Sequence, residues 1–295
     1  EEFIAKRKVQ FLGRTSQLAI AAASLALKDA KVSLKDINKE KTGVFIGTTM
    51  GERPLEESID VWVKEGADKI SKAKILQSSA NNISANIGIY FKFQGPNYLI
   101  PTACAAGNYA IGYGFDLIRK GDLDYAIAGG ADSFSKAAFT GFHRLYAVAP
   151  EKCQPFDKNR KGMIPGEGAG ILFLESLESA LKRKSNIYAE VLGYGLSCDA
   201  FHMTTSTVEG IEKVMLKALK EANIREEEVD YISAHGTGTP GNDKLECAAI
   251  KKVFNGHYKT IPISSIKSML GHTMGAASAI EALTCCLAVK EDIIP

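Results

Sequence analysis

The sequence has no hydrophobic run long enough to span a bilayer. Its longest apolar stretches, such as Leu18 to Leu27, are short and rich in alanine. It also lacks an excess of charge. Lys and Arg total 36 against 34 Asp and Glu, a formal net charge of +2, so composition gives no general case for nucleic acid or for a lipid surface as partner. Local basic clusters remain, at Lys6-Arg7-Lys8 and Lys182-Arg183-Lys184. The simple reading is solvated faces, and the sharper one is a docking patch for an acidic carrier. Six cysteines occur, none in a C-x-x-C pattern, which argues against a zinc ribbon and against a disulfide scaffold. No signal-peptide pattern is read at Glu1 to Lys8. The expectation is a reduced, cytoplasmic protein. No low-complexity linker divides the chain.

What is present is a globular composition, 45% hydrophobic and 24% charged, in which strand-like and helix-like segments alternate. Buried strands are expected at Gly43–Gly47, Tyr98–Ile100, Asp124–Gly130 and Gly170–Glu175, and at Asp230–His235 and Ile261–Ser264. Tyr188–Gly193, with alternating polarity, is a further candidate. Helical periodicity is expected over Thr15–Ala30, Ala105–Ile118, Gly210–Ala222, Asp243–Phe254 and Met274–Val289. Glu52–Lys74 and Glu151–Lys161 are the most polar stretches and are expected to be surface excursions. Strands separated by helices predict an α/β fold with mostly parallel sheets covered on both faces.

One cysteine stands out. Cys104 lies in Pro101-Thr102-Ala103-Cys104-Ala105-Ala106-Gly107, between a short apolar strand and a helix of small residues. A lone cysteine is usually a small buried hydrophobe. At a helix start, however, unpaired N–H groups favour a thiolate, and the same groups can hold an oxyanion on a carbonyl that the sulfur attacks. Two histidines also follow strands in loops of glycine and small residues: His235 in Ala234-His235-Gly236-Thr237-Gly238-Thr239, and His272 in Lys267-Ser268-Met269-Leu270-Gly271-His272-Thr273. Carboxyl ends of strands are where open α/β sheets bind ligands. No two Cys or His ligands have metal-like local spacing, so no metal is expected. Pro165–Gly170 is glycine-rich but lacks the Lys-Ser/Thr ending of a P-loop and precedes a strand, so a tight turn is expected.

With these motifs in view, nearly the whole chain resembles the β-ketoacyl synthases, the decarboxylating condensing enzymes of fatty-acid and polyketide synthesis. The segment Thr102 to Gly107 is similar to the family's nucleophile motif. Gly129-Gly130-Ala131-Asp132, Pro155-Phe156-Asp157 and Gly166-Glu167-Gly168-Ala169-Gly170 are similar to its structural signatures, and the two histidine loops to its histidine motifs. The resemblance implies a thiolase-like, five-layered αβαβα fold of two similar halves, 1–180 carrying the cysteine and 181–295 carrying the histidines. It implies that Cys104 takes an acyl group from a carrier-protein thioester. His235 and His272 would stabilise the enolate formed as malonyl loses carbon dioxide, and Lys267 would orient His272. Thr237 and Thr239, with Thr204, would bind the phosphopantetheine arm. Met50, Phe142 and His143 would line the acyl pocket, and Glu281 would be structural near the site.

The resemblance further implies no cofactor beyond the phosphopantetheine brought by the acyl carrier protein, acyl and malonyl thioesters as substrates, and a homodimer. A heterodimer with a chain-length-factor homologue is the alternative; such partners have lost the cysteine, which this chain keeps. A coenzyme A-dependent thiolase needs a second late cysteine, where this chain has His272. Initiating synthases use asparagine at the position of the second histidine. In the family a first strand precedes the matched region, and strands with a Gly-Phe-Gly loop follow it. The expectation is therefore a piece of a longer protein, lacking the first strand region and the C-terminal strands.

Overall fold

The computed structural model describes residues 3–295. The chain forms two compact units that interleave along the sequence. One comprises 1–141, 165–187 and 273–284, and the other 142–164, 188–272 and 285–295.

The first unit is built on four strands: β1 (Thr42–Gly47), β2 (Asn97–Ile100), β3 (Tyr125–Asp132) and β4 (Gly168–Glu175). Their order is β2-β1-β3-β4. β1 runs parallel to both neighbours, while β4 is antiparallel to β3. β1 is central, and every one of its residues is buried. That explains its continuous apolar run, since neither face meets water. Val44 and Ile46 pack with Ile20, Ile83, Ile87 and Ile127 on one face. Phe45, between them in sequence, points the other way into Ala110, Ile111, Ala126 and Ala128. Full burial of a side chain such as Phe45 contributes about 2–3 kcal/mol. The Ala106–Arg119 helix starts directly against β1. A Cβ on Gly47 would lie 2.2 Å from the carbonyl carbon of Ala106, so only glycine permits this approach.

β2 departs from the expected buried strand. Asn97 and Tyr98 are exposed, and burial is complete only at Ile100. Its place in the sheet order is the reason: β2 has one ladder neighbour, and its outer edge carries no strand among the described residues. In the run 182–184, Lys182 and Lys184 are exposed, as a solvated face requires, while Arg183 departs from that expectation. Arg183 donates from Nε to both carboxylate oxygens of Glu175 at 2.8 Å, and from Nη1 to the Ala30 carbonyl at 2.6 Å. Its guanidinium lies over the Phe173 ring. It is an internal clamp between β4 and the end of the Arg14–Asp29 helix, not part of a solvated face.

In the second unit β5 (Ile232–Ser233) and β6 (Ile263–Ser264) pair in parallel. The Pro240–Phe254 helix packs beside the Val208–Ala222 helix, and Ile250, Val253, Phe254 and Ile261 form its core with Met215, Leu219 and Ile232. Lys252 joins the two helices by reaching Glu209 and Glu212 at 3.0 and 3.2 Å. The strand expected at Tyr188–Gly193 is not formed; no strand is assigned there among the described residues. The segment instead leads onto a helix surface. Tyr194 N donates to Glu221 at 3.1 Å, and a Cβ on Gly193 would meet Ala222 N at 2.8 Å. Among the described residues no helix is long and apolar enough to cross a membrane.

The polar stretch from Glu52 to Lys74 folds into the Pro54–Glu65 helix and two short turns. Its first residue is not on the surface: Glu52 is 4% exposed. The carboxylate accepts from Ser16 N at 3.0 Å and from Ser16 Oγ, at the start of the Arg14–Asp29 helix, while Oε2 is buried with no hydrogen-bond partner. Two effects compete. The helix N-terminus favours the anion, and burial disfavours it. Burial wins, raising the Glu52 pKa to about 7. The folded value lies above the unfolded one, so the stabilising contribution is complete below about pH 4.5 and is lost as pH rises through 7. The difference in unfolding free energy between the wild type and Glu52→Gln should fall by on the order of 3 kcal/mol from about pH 4.5 to mildly alkaline pH. Equal pH dependence in the two proteins would refute it.

Candidate active site

In the first unit β2 ends at Ile100, and a single 3₁₀ turn, Ala103–Ala105, carries Cys104 into the Ala106–Arg119 helix. The expected corner is present, with a short turn inserted before the helix. Ala103 has a φ of +52°, the left-handed region that non-glycine residues seldom adopt. Such strain concentrates at sites where the chain must present one side chain sharply. Cys104 is half-buried. Of the helix-start N–H groups, that of Asn108 is already held by Ser278 Oγ at 3.1 Å. Met50 lies in the same unit, on the loop after β1, and is 36% exposed. Glu281 is half-buried on the Ala277–Glu291 helix.

The second unit gathers His235, His272 and Lys267. Ala234 N donates to Ser264 O at 2.9 Å, extending the β5–β6 ladder by one residue and placing His235 just beyond it. The His235 peptide is then held at both ends. Its N–H donates to Glu246 Oε1 at 2.6 Å, and its carbonyl accepts from Lys267 Nζ at 2.6 Å. Gly236 N donates to the other Glu246 oxygen at 2.8 Å. Hydrogen bonds to charged groups contribute about 1.5–3 kcal/mol each, so this loop is fixed by its surroundings rather than by its own sequence. His272 is buried, with its N–H on the Ile164 carbonyl at 2.7 Å. The two imidazoles meet edge to face, with centroids 5.3 Å apart and planes at 85°.

Lys267 is 1% exposed. Its Nζ lies 3.4 Å from His235 Nδ1. An ammonium can only donate, so Nδ1 accepts and the imidazole proton is assigned to Nε2. These bonds tie Lys267 to His235, and its charge also acts on His272. Burial first, then Lys267, then His272 hold the His235 pKa well below the ordinary value. Burial, then Lys267, push His272 down to about 3. Both rings are therefore neutral N–H donors at physiological pH. A fixed ammonium beside His235 also makes that position unfavourable for a divalent cation.

Thr237 and Thr239 follow on the same loop, their hydroxyls 2.8 Å apart. Asp243 braces the loop, accepting from Gly238 N at 3.2 Å and Phe156 N at 2.8 Å. Thr204 lies elsewhere, exposed, with its N–H on His202 Nδ1 at 3.1 Å. Phe142 and His143 close the Lys136–Arg144 helix; their carbonyls accept from Ala147 and Tyr146 at 3.0 Å. Sequence reasoning missed Glu246 and Asp243. The available signal was their position: two acids three residues apart, in the first turns of a helix that follows directly on a glycine-rich loop, face back onto that loop's N–H groups.

Mostly parallel strands, a thiol at a strand-to-helix corner and imidazoles kept neutral in the interior agree with a thiolase-like fold adapted to acyl chemistry. The chain belongs to the β-ketoacyl synthase family: the model of the beta-ketoacyl synthase N-terminal domain matches residues 2–180, and that of the C-terminal domain matches 188–295. Nodulation protein E of a Rhizobium species is 37% identical over 297 residues, spanning 100% of this chain and 74% of that protein. A 3-oxoacyl-[acyl-carrier-protein] synthase 2 of Synechocystis is 37% identical over 304 residues, spanning 100% and 73%. The solved structure of the ishigamide ketosynthase/chain length factor superposes with a TM-score of 0.96 at 43% identity, covering 100% of this chain and 73% of that one. The protein is an acyltransferase of the elongating type, acting by condensation in fatty-acid or polyketide chain extension.

The depressed imidazole pKa has a consequence for stability. His272 is near 3 when folded and near 6.5 when unfolded. Its contribution is complete above about pH 6.5 and is lost as pH falls toward 3, because the unfolded chain takes up the proton first. The difference in unfolding free energy between the wild type and His272→Gln should rise with pH between about 3 and 6.5. A constant difference would show that the ring is protonated in the folded protein.

Proposed function

We propose that Cys104 carries the growing acyl chain and that His235 and His272 activate the malonyl unit that extends it. The observation that carries this reading is the pair of neutral imidazoles, with the His235 proton assigned to Nε2 by Lys267. In the first step Cys104 Sγ attacks the carbonyl of an acyl carrier protein thioester. A new C–S bond forms, the old one breaks, and the carrier thiol leaves with the proton. Next, malonyl carrier protein loses carbon dioxide. The electron pair of the broken C–C bond becomes an enolate, whose oxygen accepts from both Nε2–H groups. Neutral donors already in place stabilise this charge without reorganising. The enolate carbon then attacks the acyl-cysteine carbonyl, the C–S bond breaks, and a β-ketoacyl thioester leaves while the electron pair returns to sulfur. No step calls for a metal or a cofactor of the enzyme's own.

Acyl carrier protein is the proposed partner, in keeping with the name of the Synechocystis relative. Its phosphopantetheine arm would exchange the mutual hydrogen bond of Thr237 and Thr239 for bonds to its amides, with Thr204 as a further contact. Met50, Phe142 and His143 are the proposed lining of the acyl pocket, and Glu281 a structural neighbour. A homodimer is one assembly. Pairing with a cysteine-less chain-length-factor homologue is the second reading, favoured by the likeness to a ketosynthase/chain length factor structure. A reducing compartment such as the cytoplasm is the proposed location.

Mass spectrometry of the full-length protein with acyl carrier protein thioesters tests the reading. Acyl mass should appear on Cys104 and vanish in Cys104→Ala; persistence there would sink it. His272→Ala should slow malonyl decarboxylation by about 100-fold, the loss typical of one oxyanion donor, while acylation of Cys104 falls far less. An equal loss in both steps would reject separate roles.

A further inference from the structure

Asp132 is the last residue of β3 and has no exposed surface. Its carboxylate accepts four hydrogen bonds: Thr48 Oγ1 at 2.6 Å and Met50 N at 3.0 Å on Oδ1, and Thr49 N at 2.7 Å and Gly275 N at 2.6 Å on Oδ2. A protonated or amidated side chain lacks four acceptor sites of this kind, so the arrangement calls for the carboxylate. Burial raises its pKa, and the four bonds oppose that.

These bonds account for the loop after β1 almost completely. Thr48 N goes to Ile100 O at 3.1 Å in continuation of the ladder. Thr49 and Met50 donate to Asp132, and Gly51 N donates to Thr48 Oγ1 at 3.1 Å. Beyond the strand, therefore, the N–H groups of Thr49, Met50 and Gly51 end on Asp132 or on a hydroxyl that Asp132 orients. The fourth bond reaches the Met274–Ala276 turn, which follows the His272 loop in the chain. That turn is pinned sterically as well. Met274 has a φ of +52°, and a Cβ on Gly275 would lie 2.6 Å from Thr48 Cα, while one on Gly130 would lie 2.3 Å from the Gly275 carbonyl oxygen. One buried anion thus fixes the backbone of Met50 and sets its loop against this turn.

We propose that Asp132 is a positioning residue for acyl-chain selection, holding Met50 where its side chain limits the length of acyl group accepted. This rests on the reading of Met50 as a pocket residue. With Asp132→Asn two of the four donors lose their acceptor, the Met50 loop loosens, and longer chains enter.

The experiment compares transfer to Cys104 in the full-length protein from acyl carrier protein thioesters running from butyryl to palmitoyl. Asp132→Asn should raise the palmitoyl-to-butyryl rate ratio by about tenfold, the scale of a methylene-sized misfit in an apolar pocket. Met50→Ala should shift the ratio the same way, and the double variant no further than Met50→Ala, since the two act through one side chain. If Asp132→Asn scales all rates by one factor while Met50→Ala changes the ratio, the role of Asp132 is overturned and the pocket reading stands. If Met50→Ala leaves the ratio unchanged, the pocket reading fails, and the role of Asp132 through Met50 fails with it. Should Asp132→Asn not fold, Thr48→Val, which removes one donor, decides: a smaller shift in the same direction supports the proposal, and an unchanged ratio overturns it.

Discussion

The chemistry of the second unit hangs on an ammonium buried against a histidine. Lys267 donates to the His235 carbonyl and sits beside Nδ1 of the same residue. These contacts settle three properties together. The carbonyl contact fixes the loop, the Nδ1 contact fixes the tautomer, and the charge adds to burial, the larger cause, in keeping both imidazoles from taking a second proton. The proposed enolate site needs all three, because a ring that turned, tautomerised or charged would offer the wrong group at the wrong moment. Glu246 supplies the opposite charge by holding the His235 and Gly236 N–H groups. The ammonium and the carboxylate therefore face each other through one peptide rather than through a direct ion pair, and the peptide between them is held from both sides.

The first unit solves a different problem with related means. A thiol must stand at a corner, and the corner must not move. Gly47 lets the helix that follows Cys104 press onto β1, and the positive φ at Ala103 is tolerated because the strand and helix on either side leave it no alternative. Asp132 does for the neighbouring loop what Glu246 does for the His235 loop: a buried carboxylate collects backbone N–H groups that have no strand or helix to join.

The parts of the site legible from sequence were those whose residue type is itself the chemistry. Cys104, His235, His272 and Lys267 stand in loops of glycine and small residues, where a reactive side chain has little other reason to be. The carboxylates that position them were not legible. Asp243 and Glu246 look like ordinary acids near a helix start, and Asp132 like a polar strand end, because nothing in one sequence says which N–H groups will lie opposite. The fold shows the same division. The β1 and β3 segments were legible from their continuous apolar runs. The edge status of β2 was not, since sheet order is a long-range property. Tyr188–Gly193 misled because alternating polarity alone does not show whether a ladder partner lies alongside. Arg183 misled because a basic triplet gives no hint that its middle member turns inward to Glu175.

Glu52 and His272 together give the folded chain an unusual relation to protons. Between about pH 4.5 and 6.5 the folded protein keeps a proton on a buried carboxyl that would have lost it in water, and keeps one off a buried imidazole that would have gained it. For this pair, folding moves a proton from an imidazole to a carboxyl without exchanging one with the solvent. The two pH dependences have opposite sign and cancel across that interval. Two residues far apart in sequence thereby make each other's titration invisible in the mildly acidic range, although either alone would make stability depend on pH there.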